Sequence, residues 1–93
     1  MSVEVVLPGV LADLAGGQKH LAVEVSGGTL GDLLDDLAAR HPLLGRRIRD
    51  EQGQLRRFVN VYVDGDDVRF ENGLKTELPD GAVVQVLPSV AGG

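Results

Sequence analysis

Residues Leu30, Leu33, Leu34, Leu37 and Ala38 stand at i, i+3, i+4, i+7 and i+8, one apolar stripe on one helix. Thr29 is placed to cap that helix, with Asp32 three residues on as the acidic arm of a capping box. Asp32, Asp35, Asp36 and Arg40 take the opposite face, the aspartates near the favourable N-terminal end of the helix dipole. Pro42 stops the helix at about His41, because a residue before proline avoids the α region. A chain of 93 residues with one strong helix must spend it on one sheet face. The fold is therefore sought among single sheets covered on one side.

The remaining segments supply that sheet. Ser2 to Pro8 alternates with Val3, Val5 and Leu7 on one side, and Lys19 to Val25 does the same through Leu21, Val23 and Val25. The two read as an antiparallel pair, joined by a long turn over 9–18. Phe58 to Val63 alternates with Val59, Val61 and Val63 inward. Asp64-Gly65 then makes a turn, Asp67 to Phe70 is a short strand or extended piece, and 74–78 covers an edge. Pro79-Asp80-Gly81 turns into a final strand over 82–88, with Val84 and Val86 inward. Its branched apolar run suits a central place beside the first strand. Segment 43–57 reads as irregular, punctuated by Gly45 and Gly53. The order predicts an α+β roll: a mixed sheet with one main helix packed on one face.

Composition removes several functions. A net charge of −5 argues against nucleic-acid binding, which wants a basic face. Arg46, Arg47, Arg49, Arg56 and Arg57 cluster, but no aromatic interleaves them before Phe58. They read first as a solvated loop and second as a partner-docking segment. No apolar run approaches the roughly 18 residues of a membrane helix, and no signal peptide opens the chain. The absence of cysteine excludes a disulfide framework and a thiolate nucleophile, and suits a cytoplasmic protein. His20 and His41 lack ligand spacing for a metal. Asp35-Asp36 and Asp66-Asp67 are poor carboxylate dyads, and Gly27-Gly28 lacks the rest of a phosphate loop.

The end of the chain carries the chemistry. After Val86-Leu87-Pro88 come Ser89, Val90, Ala91, Gly92 and Gly93. Ala91, Gly92 and Gly93 offer almost no apolar area to bury, so a structural role is not expected of them. A plain chain end would look similar. The reactive group offered is the terminal carboxylate, ionised above a reference pKa of roughly 3.3–3.7. The expectation is a domain over 1–88 followed by a tail over 89–93, which fully extended reaches at most about 17 Å. With Val59, Val61 and Val63 inward, Phe58, Tyr62 and Leu87 are expected to form an exposed docking patch below the tail. A covering by segment 43–57 is the equal alternative.

These elements, in this order and ending in Gly-Gly, resemble the β-grasp fold of ubiquitin-like proteins. In Arg57-Phe58-Val59-Asn60-Val61-Tyr62-Val63, Asp67-Val68-Arg69-Phe70, Gly73-Leu74 with Thr76, Asp80-Gly81 and the last seven residues, the chain resembles the ThiS/MoaD sulfur carriers. The CysO-like branch, which serves cysteine biosynthesis, is the nearest in pattern. The resemblance implies a carrier rather than an enzyme, with no bound cofactor. An E1-like enzyme would use ATP to adenylate the Gly93 carboxylate, and sulfur would displace AMP to leave a thiocarboxylate. Val90, Ala91 and Gly92 would thread the partner's active site. Further implied partners are a sulfide-accepting synthase, of cysteine synthesis or a specialised pathway, and a metalloprotease that releases a Gly93 adduct. The alternatives are a ubiquitin-like modifier joined through Gly93, a molybdopterin-synthase small subunit, or a plain interaction domain.

Overall fold

The computed structural model describes residues 1–88, and the elements follow the expected order with additions. Five strands, β1 (Ser2–Val6), β2 (His20–Glu24), β3 (Val59–Val63), β4 (Asp66–Asp67) and β5 (Val83–Pro88), form one sheet in the order β2-β1-β5-β3-β4. Strands β1 and β5 run parallel, and every other pairing is antiparallel. The sheet is mixed, and β5 lies at its centre beside β1 as its apolar run suggested.

Alternation decides which side chains face the core. Val3, Val5, Leu21, Val23, Val59, Val61, Val63, Val84 and Val86 are all buried. They meet the stripe of α2 (Leu30–Arg40), from which Leu30, Leu33, Leu34 and Leu37 are buried. The cap of α2 is complete: Thr29 Oγ1 accepts from the Asp32 amide, and Asp32 accepts from the Thr29 and Gly28 amides. These bonds hold the Asp32 carboxyl below its ordinary pKa, the Thr29 contact contributing most. A depressed folded pKa contributes stability above the unfolded value of about 3.9. That contribution disappears as pH falls through the lower folded value. Thr29→Ala is expected to cost about 1 kcal/mol, read as a lower urea midpoint at pH 7. The gap between Thr29→Ala and wild type should narrow in acid.

Segment 43–57 is not wholly irregular. It begins with a second helix, α3 (Pro42–Ile48), with Pro42 in its first turn. Proline at that position both ends α2 and starts α3, since its missing N–H is unneeded there. Leu44 and Ile48, four apart, are buried, and the Arg49 guanidinium reaches Asp35 on α2 at 2.8 Å. The helices touch at Gly45, where a Cβ would fall 2.6 Å from the Ala38 Cβ. Helix propensity alone would make Gly45→Ala stabilising by about 1 kcal/mol. The clash instead predicts a net loss of roughly 1–2 kcal/mol, with partial recovery in Gly45→Ala/Ala38→Gly. Thermal melts of the three variants check this.

Two shorter segments also depart from expectation. The connection 9–18 contains a one-turn helix, α1 (Gly9–Ala12), and a 3-10 turn over Asp13–Ala15, which bury Leu11, Ala12 and Ala15. After β4 the chain enters a 3-10 turn over Val68–Phe70 instead of continuing as a strand. The Asp67 carboxylate accepts from the Arg69 amide and caps that turn. Asp64 and Gly65 both have positive φ, as a two-residue hairpin turn between β3 and β4 requires. Residues 73–75 make another 3-10 turn against the start of α2, where the Leu30 amide donates to the Thr76 carbonyl.

Candidate functional site

The proposed site residues Val90, Ala91, Gly92 and Gly93 lie outside the described residues. What the structure defines is the base from which they continue. Pro88, the last residue of β5, pairs with Val59 on β3, while Val84 pairs with Val5 of β1 and Val63 of β3. Strand β1 flanks β5 only as far as Gln85, so the end of β5 over 86–88 is positioned by its pairing with β3.

The rim of that base is tied down by one arginine. Arg69 donates from its guanidinium to the carbonyls of Val59 and Arg57, at 2.8 and 3.0 Å. These bonds hold the entry to β3 against the 3-10 turn containing Val68, which is fully buried. The Val59 amide donates to the Arg56 carbonyl, so residues 56–59 turn before the strand begins.

That turn divides the expected docking patch. Tyr62 and Leu87 lie on the outer face of the sheet, opposite Gln85 and Asn60 respectively. Tyr62 is half-buried, and Leu87 and Val83 are exposed. Phe58, however, precedes the strand, so alternation does not govern it. It lines a groove with Leu11, Leu14, Leu43, Arg46, Arg47, Arg56, Val59 and Pro88. The groove has a volume of about 590 Å³. Residues of 43–57 and Phe58 therefore share one hollow, while Tyr62 and Leu87 stand apart from it.

The rejected candidates have structural uses. His20 Nδ1 lies 2.7 Å from Glu4 Oε2 on the neighbouring strand. Asp36 accepts from the amide and hydroxyl of Ser26, whereas Asp35 meets Arg49, so the pair divides between partners. Among the described residues no group of three His, Asp or Glu side chains could hold a metal. Among them, too, no helix is long and apolar enough to cross a membrane.

A central strand delivering residues 89–93 from a one-sided β-grasp sheet is the architecture of ubiquitin-like carriers. Residues 5–93 match the ThiS family, and the chain belongs to it. It is 46% identical over 95 residues to the sulfur carrier protein CysO of Mycobacterium tuberculosis, covering all of both chains. The crystal structure of that protein superposes with a TM-score of 0.82 over 95% of this chain and 99% of the other. The CysO chain in the BexX/CysO complex of Amycolatopsis orientalis is 42% identical, with a TM-score of 0.79 and coverage of 98% and 99%. Small archaeal modifier protein 3 of Haloferax volcanii is 42% identical over 79 residues, covering 83% of this chain and 84% of that one. The resemblance read from the second half of the sequence is borne out. The CysO relatives are named as carriers, in keeping with a carrier rather than an enzyme.

Proposed function

We propose that the chain is a sulfur carrier whose Gly93 carboxylate is the loading point. A carboxylate oxygen attacks the α-phosphorus of ATP in an E1-like enzyme, releasing pyrophosphate and forming an acyl-adenylate. A sulfur nucleophile at the sulfide level then adds to the acyl carbon. AMP leaves, and a thiocarboxylate remains once any sulfur donor is detached. A partner synthase of cysteine synthesis or of a specialised pathway takes the sulfur, and the carboxylate is restored by hydrolysis. ATP is a substrate of the activating enzyme and not a resident cofactor of this chain. We place the cycle in the cytoplasm, where ATP is available.

The full-length match to CysO carries this reading, together with Ala91-Gly92-Gly93 two residues beyond the end of the central strand in the sequence. Small residues suit passage to a buried phosphorus, because a side chain at Gly92 or Gly93 would obstruct the approach. The Amycolatopsis relative was crystallised in complex with BexX, which supports a role performed against a partner protein. The proposed test is intact-mass analysis after incubation with an E1-like enzyme, ATP and a sulfide source. An oxygen-to-sulfur mass increase at Gly93 is expected, and its absence with an enzyme active on a CysO would overturn the reading.

The likeness to small archaeal modifier protein 3 favours a second reading, conjugation through Gly93 to lysines of other proteins. In extract with ATP and sulfide, the carrier reading expects the thiocarboxylate and few denaturant-resistant conjugates. An abundant ladder without thiocarboxylate would promote the modifier. We further propose that Tyr62 and Leu87 contact the activating enzyme. Tyr62→Ala or Leu87→Ala should weaken its binding by about 1 kcal/mol or more, measured by titration calorimetry, and unchanged affinity in both would remove the outer face from the interface.

A further inference from the structure

The groove at the base of β5 has a chemistry opposite to that of the protein around it. Five of the nine Lys and Arg residues fall between 46 and 57, in a chain of net charge −5. Three of them, Arg46, Arg47 and Arg56, line the groove together with Leu11, Leu14, Leu43, Phe58 and Pro88. Among the described residues neither Arg46 nor Arg47 makes an ion pair, and Arg56 spends only its Nε, on the Arg46 carbonyl at 2.5 Å. Among the described residues no carboxylate lines the groove. The nearby Asp50 and Glu51 line an adjoining hollow that shares Arg46 and Arg56 with the groove. Yet among the described residues neither carboxylate pairs with those arginines, and the Asp50 carboxylate accepts from the Gln52 and Gln54 amides. Leu43 and Phe58 remain 61% and 56% exposed, so the walls present apolar area and not only charge.

We propose that this groove docks an acidic segment of the partner enzyme, one in which aspartates or glutamates accompany leucine or phenylalanine. The occupant follows from complementarity: unpaired guanidiniums around an apolar floor attract carboxylates that bring apolar neighbours. Its position follows from Pro88, which lines the groove and immediately precedes the residues offered to the partner. A partner gripping here would hold the root of the tail on the helix side, while the outer face carries Tyr62 and Leu87. The inference rests on the reading that a partner enzyme engages Gly93, but its first test does not.

In that test the isotope-labelled full chain is titrated with a short synthetic peptide alternating glutamate with leucine and phenylalanine. Amide shifts are expected at Leu11, Leu14, Leu43 and Phe58, with affinity falling as salt rises. Arg46→Glu/Arg47→Glu should weaken binding roughly tenfold or more. Both arginines are exposed, so the fold should persist. Leu43→Ser should weaken binding without removing the salt dependence. Shifts confined to Tyr62 and Leu87, or none at all, would overturn the proposal. So would release of residues 89–93 from the groove, or a dimer dissociated by the charge reversal, since the occupant would then be the chain's own end or a second copy. With the activating enzyme, Arg46→Glu/Arg47→Glu should raise KM for the carrier and leave kcat unchanged. An unchanged KM for that double variant, where the wild-type chain forms the thiocarboxylate, would sink the groove alone. Failure to form the thiocarboxylate, with peptide binding intact, would sink the sulfur-carrier reading alone.

Discussion

Deleting Gly93, or replacing Gly92 with valine, is expected to abolish thiocarboxylate formation while shifting the melting temperature by less than about 2 °C. Glycine offers almost no apolar area to bury, so neither change is expected to cost packing energy. The chemistry should respond differently, because the proposed reacting atoms belong to the Gly93 carboxylate. Shortening the chain moves that carboxylate by about 3.5 Å, and misplacement by even about 1 Å costs orders of magnitude in rate. A β-branched side chain at residue 92 adds bulk where the partner must close around the backbone. Differential scanning calorimetry and intact-mass analysis on the same preparations separate the two effects. A fall of several degrees on losing Gly93 would show that the end of the chain is structural.

The opposite dissociation is expected at Leu33. Its side chain is fully buried in the face of α2 that covers the sheet. Leu33→Ala should cost about 3 kcal/mol, the transfer term plus the cavity it leaves. For a domain of this size that is a fall of roughly 12–24 °C in melting temperature. Loading at Gly93 should survive well below the lowered melting point, because Leu33 lines neither the groove nor the outer face. A fall of only a few degrees would mean that α2 and the sheet collapse into the vacated space. Loss of loading in the folded variant would mean that α2 positions the site.

Some of these features were legible before the fold was known, for physical reasons. A strand with one buried face must alternate, so Val59, Val61 and Val63 declared their orientation. Thr29 and Asp32 declared a helix start, because a first turn needs its amides satisfied. The helix α3 is not legible in the sequence because its buried set is just Leu44 and Ile48, too short a stripe to establish a period, and because Pro42 signals the end of α2 as readily as the start of α3. The turn over 9–18 concealed α1 for the same reason: Leu11, Ala12 and Ala15 span little more than one turn.

By itself the sequence determined the one-sided sheet and the central place of the last strand, since each depends on local spacing or residue type, and the proposal that Gly93 is loaded rests on it as well. Tertiary structure alone decided where Phe58 goes. The Val59-to-Arg56 hydrogen bond ends the alternation one residue early, and no spacing rule announces such a turn. It likewise decided that Leu14, Leu43, Arg46 and Pro88 share a groove, because they come from three segments that meet only when α3 packs on α2 and β5 enters the sheet. Contacts between distant segments depend on how the elements close together, and the periodicity of a single segment carries no record of that.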